Sequence, residues 1–207
     1  MTSLREEYSR LRQETLLVLA GRLEQHIKGK FAGVSRIDRI GARAKDVDRF
    51  LEKAQQATDT GTPKYTEPLE QIQDQVGARV VVFYLADVDV AAGIVSKYFR
   101  PIEKKDIVPE SESEFGYFGK HFVLLMPTDV YDDGVPKGTG PRFFELQVKT
   151  LFQHAWSEAN HDLGYKPTTD LTSDQKRRIA FTAAQAWGAD QIFHDLHREL
   201  ARSSKPN

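Results

Sequence analysis

The sequence predicts an α+β domain, a mixed sheet of about five strands with helices packed around it and a site on one face. Three observations carry this. Period-two apolar runs occur at 79–84, 120–126 and 144–148. Amphipathic stretches at helical spacing precede, separate and follow them. A long polar stretch at 127–141, with three glycines and three prolines, joins two of the runs as an antiparallel pair. The 207 residues suit one domain with helical ends: an N-terminal helix over 1–30, a central domain over 31–170 and a C-terminal helix over 171–207.

In chain order, Ser3 with Glu6 and Glu7 reads as a helix start. Leu4, Tyr8, Leu11, Leu16, Leu19, Leu23 and Ile27 make its apolar stripe, and Gly29 closes it. Val34 to Ile40 alternates as a short strand. Asp46 is placed to cap a helix whose apolar side is Val47, Phe50 and Leu51. Residues 57–66 are a polar Thr/Gly/Pro loop, and a short helix follows from Pro68 to Ile72. Next comes the central strand, with Val80, Val82 and Tyr84 on one face and Arg79, Val81 and Phe83 on the other. Asp87 to Phe99 is a helix with Val88, Ala91, Ile94, Val95 and Tyr98 towards the core. Lys120 to Met126 is a strand. The last helix, about Gln175 to Leu200, turns Ile179, Ala183, Ala184, Trp187, Ile192 and Leu196 inward.

The most informative stretch is Phe143 to Lys166. Phe144, Leu146 and Val148 form an apolar face, and Glu145, Gln147 and Lys149 a fully polar one. Such a row suits solvent or a polar cleft and would be costly in a core without partners. From Thr150 the period becomes helical, with Leu151, His154, Ala155, Glu158, His161 and Asp162 recurring until Gly164.

Composition narrows the function. The net charge of −1 argues against a global basic field for bulk nucleic-acid binding. The absence of cysteine excludes disulfides and thiolate metal sites. No apolar run approaches a membrane span, and the charged N-terminus is not a signal peptide, so the expected location is cytoplasmic.

Several groups invite chemistry, each with a plainer reading beside it. Arg43, Lys45, Arg49 and Lys53 could cradle a polyphosphate, though Asp46, Asp48 and Glu52 among them also describe a solvated helix. His154, Glu158 and His161 have metal-ligand spacing on one helix, which is more often a polar helix surface. His161-Asp162 and His194-Asp195 are read as structural. The turn at Gly116 to Gly119 either sets the Tyr117 ring over a nucleobase or forms a simple hairpin. No stretch fits the G-x-x-x-x-G-K-S/T loop, so nucleotide chemistry here is not of the P-loop kind. Asp74 and Glu145, each at a central strand, could together hold Mg²⁺ with a nucleotide completing the shell.

These parts stand in a recognisable order. An R-x-K segment with a following helix lysine leads to D-x-x-G-x-R-V and a helix. Then come a G-Y turn with a histidine four residues after the tyrosine, ELQVKT, and H-x-x-x-Y-K. This order resembles the alarmone synthetase domain of the RelA/SpoT homologue family, across about Ser35 to Lys166. The resemblance implies a nucleotidyltransferase-like fold and transfer of pyrophosphate from ATP to the ribose 3′-hydroxyl of GDP or GTP. It implies that Arg43, Lys45 and Lys53 hold ATP phosphates, that Arg79 stacks on adenine, and that Asp74 binds Mg²⁺. Glu145 would bind Mg²⁺ or take the proton of the acceptor hydroxyl. Tyr117 would stack on the acceptor base, and Lys120, His121, Gln147, Lys149 and His161 would line the acceptor site.

The sequence also departs from the family pattern. Asp46-Val47-Asp48 stands where a serine or threonine is usual, and GYFGKH where GYRSxH or GYQSxH is common. The acidic ESESE segment precedes it. These changes imply weaker binding of a guanosine polyphosphate. They keep open the tRNA 3′ end or an adenosine nucleotide as acceptor, or a non-catalytic nucleotide-binding regulatory module. Synthesis without hydrolysis and possible homo-oligomers are further expectations of the resemblance.

Overall fold

The computed structural model describes the chain except residues 1, 110, 112–113, 117, 132–134, 136–138, 166–170 and 204–207, with backbone alone at 164–165. Its elements are α1 (Leu4–Leu11), α2 (Leu17–Lys30), β1 (Ile37–Ala44), α3 (Val47–Ala54), α4 (Pro68–Gln71), β2 (Val76–Val82), α5 (Leu85–Tyr98), β3 (Pro101–Ile107), β4 (Gly119–Leu125), β5 (Phe143–Thr150), α6 (Leu151–Tyr165) and α7 (Ser173–Ser203). The five strands form one sheet in the order β1-β2-β5-β4-β3. Only β2 and β5 run parallel; the other neighbours are antiparallel.

Local chemistry explains the first elements. Ser3 Oγ accepts from the Glu6 N–H at 3.3 Å, and Glu6 Oε2 accepts from the Ser3 N–H at 2.9 Å, a reciprocal capping box. Between Leu11 and Leu16 the apolar spacing opens to five residues. One wide π turn over Arg12–Leu16 absorbs the extra residue and returns Leu16 to the core. Tyr8, Leu16, Leu19, Leu23 and Ile27 are buried in the same core as the sheet residues Val80, Val82, Phe122, Leu124, Phe144, Leu146 and Val148. Phe50 of α3 stacks on Tyr8 with ring centroids 3.7 Å apart, which docks α3 on the N-terminal helix.

Pairing register defines the second face of the sheet. Directly paired residues share a face. One row across the sheet is Gly41, Arg79, Gln147, His121 and Lys105, and the row beside it is Arg43, Gly77, Glu145, Val123 and Glu103. The polar side chains of β5 therefore lie on the face opposite the apolar core, and α6 covers one end of it.

The structure corrects several sequence expectations. β1 starts at Ile37 rather than Val34, because Arg36 has φ of 61° and breaks the extended run. Its bidentate pairing with Asp87 holds that residue. The middle strand is β5; β2 is interior but second from the edge. β3 was not anticipated as a strand. PIEKKDI lacks apolar alternation, and its charges suit an exposed edge. Tyr98 is exposed, with the Lys30 and Lys97 ammonium groups over its ring, because α5 turns Ala91, Ala92 and Val95 inward instead. On α7 only Ala183 and Asp190 are buried among the described residues. Trp187, Ile192 and Leu196 are exposed because the helix meets the domain along a narrow strip.

Candidate active site

The polar sheet face, α3, α6 and the turn before β2 enclose a cleft of about 1260 Å³. At its floor Asp74 sits in a tight turn over Gln73–Gln75. Buried Gln75 fixes that turn by donating from Nε2 to the carbonyls of Leu69 and Ile72, at 2.6 and 3.0 Å. Asp74 Oδ2 accepts from Lys45 Nζ at 2.7 Å and pairs with Lys53 Nζ at 2.9 Å. Burial alone would raise the Asp74 carboxyl; the Lys45 and Lys53 ammonium groups outweigh it and hold the carboxyl below its ordinary value. Asp74 Oδ1 is buried with no hydrogen-bond partner among the described residues.

Glu145 projects from β5 beside this turn. His121 Nδ1 lies 2.7 Å from Glu145 Oε1, and Gln147 Nε2 donates to the same oxygen at 3.4 Å. Burial pushes the Glu145 carboxyl up, the His121 contact pulls it further down, and Asp74 pushes it back, with a net lowering. The two carboxylates thus sense each other. A buried oxygen without a donor and a second carboxylate beside it fit a hard cation with oxygen ligands. Among the described residues no group of three or more His, Cys, Asp or Glu is arranged to hold a metal ion.

The cations that the family resemblance assigned to ATP share one cleft, although the sequence pattern alone described a solvated helix. Arg43, Lys45, Lys53 and Arg79 all line the cleft, and Arg79 Nη1 pairs with Glu158 Oε1 of α6 at 2.8 Å. Glu158 is therefore committed to Arg79, and His154 is buried 3.7 Å from it. His161 lines the cleft with its imidazole pKa lowered, first by burial and then by Arg49 and Arg43.

Other acceptor-side expectations change place. Lys120 pairs with Val148 in the β4–β5 register, so it points to the opposite face, where it meets Asp106 at 3.2 Å and Asp89 at 3.5 Å. Lys149 lies on the correct face but is 4% exposed beneath α6, with Nζ donating to Ser157 Oγ at 2.9 Å. Its pKa is lowered to about 8, chiefly by burial. Gln147 lines the cleft. Tyr117 lies outside the described residues.

Sequence reasoning missed Arg12, Lys64 and Tyr65 as cleft residues, and read Glu158 only as a metal-spaced or solvated helix residue beside His154 and His161. Arg12 donates from Nε to the Lys45 carbonyl at 3.1 Å, beside the Tyr8 hydroxyl at 3.0 Å, so the N-terminal helix holds the R-x-K segment. Nothing in its spacing marked it. Lys64 and Tyr65 sit in a loop whose composition gave no signal. Glu158 stood in the helical pattern but pointed equally well to solvent.

The family described as "Region found in RelA / SpoT proteins" matches residues 42–170. The chain is 25% identical to the GTP pyrophosphokinase YjbM of Bacillus subtilis (strain 168) over 168 residues, 80% of this chain and 74% of that protein. A GTP pyrophosphokinase family protein from Streptococcus pneumoniae superposes with a TM-score of 0.72 at 24% identity, covering 98% of this chain and 97% of that one. The B. subtilis small alarmone synthetase 1 bound to its product pppGpp gives 0.66 at 24% identity, with 93% of each chain covered. The same synthetase bound to AMPCPP gives 0.68 at 20% identity, covering 93% of this chain and 99% of that one. With more than half its length matched, and with the carboxylates and cations of the motifs gathered in one cleft, this chain belongs to the RelA / SpoT family.

Proposed function

We propose that this chain transfers the β,γ-diphosphate of ATP to the 3′-hydroxyl of GDP or GTP, making (p)ppGpp. The observation that carries this reading is Asp74 and Glu145 at the floor of one cleft, with Lys45 and Lys53 on Asp74 and Arg43 and Arg79 along the wall. Phosphoryl chemistry needs position and charge neutralisation more than covalent help from the protein, and this set supplies both. Lys45, Lys53 and Arg43 would hold the donor's phosphates, and the Arg79 guanidinium, steadied by Glu158, would face the adenine. Asp74 through Oδ1, with Glu145, would hold Mg²⁺. When bound, the ion would neutralise charge on the transferring diphosphate.

Glu145 would hold this ion or receive the proton of the acceptor hydroxyl. The 3′-oxygen forms a bond to the β-phosphorus of ATP, the bond from that phosphorus to the α-phosphate bridging oxygen breaks, and AMP leaves. His121 holds one oxygen of Glu145, leaving the other for this role. The relatives named for GTP pyrophosphokinase activity and the synthetase bound to pppGpp support guanosine nucleotides as acceptors.

One observation favours a second reading. Lys120 turns away from the cleft, and Lys149 is covered, so among the described residues these two expected acceptor-side cations do not face the cleft. A tRNA 3′ end or an adenosine nucleotide would suit such a site. No helix of the described residues is long and apolar enough to cross a membrane, and we propose a cytoplasmic site of action. Self-association is proposed as well, since α7 exposes Ile192, Phe193, Leu196 and Leu200.

The test is a transfer assay with β-labelled ATP and Mg²⁺, offering GDP, GTP, AMP, ATP and bulk tRNA, with Glu145→Ala as control. Label on GDP or GTP supports alarmone synthesis. Label only on tRNA or an adenosine nucleotide moves the assignment to that acceptor. ATP binding with no transfer to anything overturns the catalytic reading in favour of a regulatory module.

A further inference from the structure

Two contacts of different kinds tie the last helix to the loop that enters β4. The first is a chain of hydrogen bonds. Asp190 of α7, only 2% exposed, accepts at Oδ2 from Thr150 Oγ1 at 2.8 Å and from Gln153 Nε2 at 3.1 Å. The other end of the same amide, Gln153 Oε1, accepts from the backbone N–H of Phe118 at 3.3 Å. Thr150 Oγ1 also accepts from the Gln153 N–H at 3.1 Å, which fixes the start of α6. The second contact is apolar. Trp187, almost one turn before Asp190, meets Phe115 edge to face with ring centroids 5.8 Å apart. Phe115 and Phe118 stand on either side of Tyr117 in the sequence, three residues ahead of His121 at the nearer.

A buried carboxylate is a costly way to fasten a helix to a sheet, and an apolar pair would hold it as well. Asp190 leaves Oδ1 buried without a hydrogen-bond partner among the described residues, so packing stability does not account for it. What the carboxylate does fix is direction. It only accepts, so it takes the NH₂ end of the Gln153 amide and forces the oxygen end towards Phe118 N–H. The flipped amide would set oxygen against oxygen at Asp190 and N–H against N–H at Phe118. The tie therefore sets one orientation of the loop. Asp190 and Trp187 lie on α7, beyond the residues matched by the family, whereas Thr150, Gln153, Phe115 and Phe118 lie within them.

We propose that Asp190, Gln153 and Trp187 are positioning residues for the acceptor, holding the loop at Phe115 and Phe118 in the orientation that receives it. The identity of the acceptor rests on the pyrophosphotransfer reading; the tie itself does not.

Two measurements on the full chain separate these. Hydrogen–deuterium exchange reads the tie without catalysis. Gln153→Leu should speed exchange at Phe118 and its neighbours by about ten-fold or more, with β2 amides unchanged. Transfer kinetics read the consequence. In Gln153→Leu the KM for whichever acceptor takes label should rise about ten-fold, with the KM for ATP within about two-fold of wild type. Asp190→Asn keeps an accepting oxygen but adds a donor, so it should fall between wild type and Gln153→Leu in both readouts. Asp190→Leu should reproduce Gln153→Leu, and Trp187→Leu should move the acceptor KM in the same direction should Asp190→Leu fail to fold. Unchanged exchange at Phe118 in Gln153→Leu overturns the tie. Equal rises in both KM values reduce it to a structural role and overturn the proposal. Transfer to no acceptor by the wild-type chain sinks the pyrophosphotransfer reading and the role with it, while the exchange rates still judge the tie.

Discussion

His121 Nδ1 lies 2.7 Å from Glu145 Oε1, on adjacent antiparallel strands two register positions apart on one face. The contact holds the Glu145 carboxyl low against burial, so the carboxylate stays charged down to acid pH. Activity carried by ionised Glu145 should fall only as pH drops through a value below the ordinary glutamate range. His121→Ala removes the pull and leaves the upward push of burial. The acid limb of the kcat profile should then move to higher pH, and kcat at neutral pH should fall about 10- to 100-fold. A pH–rate profile of the two proteins checks this. An acid limb that stays in place removes His121 from the control of Glu145.

Asp74 neutralises two ammonium groups, so its removal has two effects. Asp74→Asn should abolish transfer, by about 1000-fold or more, while ATP still binds through Arg43 and Arg79. It should also change stability in a pH-dependent way. The folded carboxyl is held below its unfolded value, so its contribution is present above about pH 4 and is lost as pH falls through the folded value. Thermal unfolding from pH 3 to 7 should show wild type gaining on Asp74→Asn as pH rises, by about 1–2 kcal/mol at pH 7. Parallel curves would mean that the Lys45 and Lys53 pairs contribute nothing.

Two lysines make a contrast. Lys53 meets Asp74 in the cleft, whereas Lys120 faces Asp89 and Asp106 on the other side of the sheet. Lys53→Ala should raise the KM for ATP about ten-fold or more. Lys120→Ala should change neither KM beyond about two-fold. Steady-state kinetics in both substrates decide it. A large acceptor effect from Lys120 would require the β4 register to differ when substrate is bound.

That Arg43, Lys45, Lys53, Asp74 and Arg79 share one cleft followed from the ordered motifs of the resemblance, because these segments are local. Arg43, Lys45 and Lys53 lie on one strand–helix unit, where period and cap fix the directions of side chains. Asp74 and Arg79 likewise flank one strand. The side of the site built from β4 and β5 depends on strand pairing, which a single sequence does not print. Lys120 and His121 are adjacent, and only the pairing of Lys120 with Val148 and His121 with Gln147 tells which one shares the sheet face of Glu145. The edge strand β3 escaped for a related reason, since its charges carry no apolar period. Trp187, Ile192 and Leu196 read as core by the same periodicity that placed Leu19, Leu23 and Ile27 correctly. Periodicity finds an apolar face but not the surface that covers it.

Lys149 offers the last test. It is buried beneath α6 with its ammonium bonded to Ser157, and burial lowers its pKa to about 8. The unfolded chain holds that proton up to about pH 10.4, so between roughly pH 8 and 10 the unfolded state binds more protons than the folded one. Stability should therefore rise with pH across this window as far as Lys149 is concerned. Lys149→Met keeps the length and removes the charge. At pH 7 it should be more stable than wild type, by about 1–3 kcal/mol before loss of the Ser157 bond is subtracted. That advantage should shrink as pH approaches 10. Denaturant unfolding at pH 7 and pH 9.5 measures the gap. A variant less stable than wild type at pH 7, with a gap independent of pH, would mean that the ammonium is well solvated and that Lys149 reaches the cleft after all.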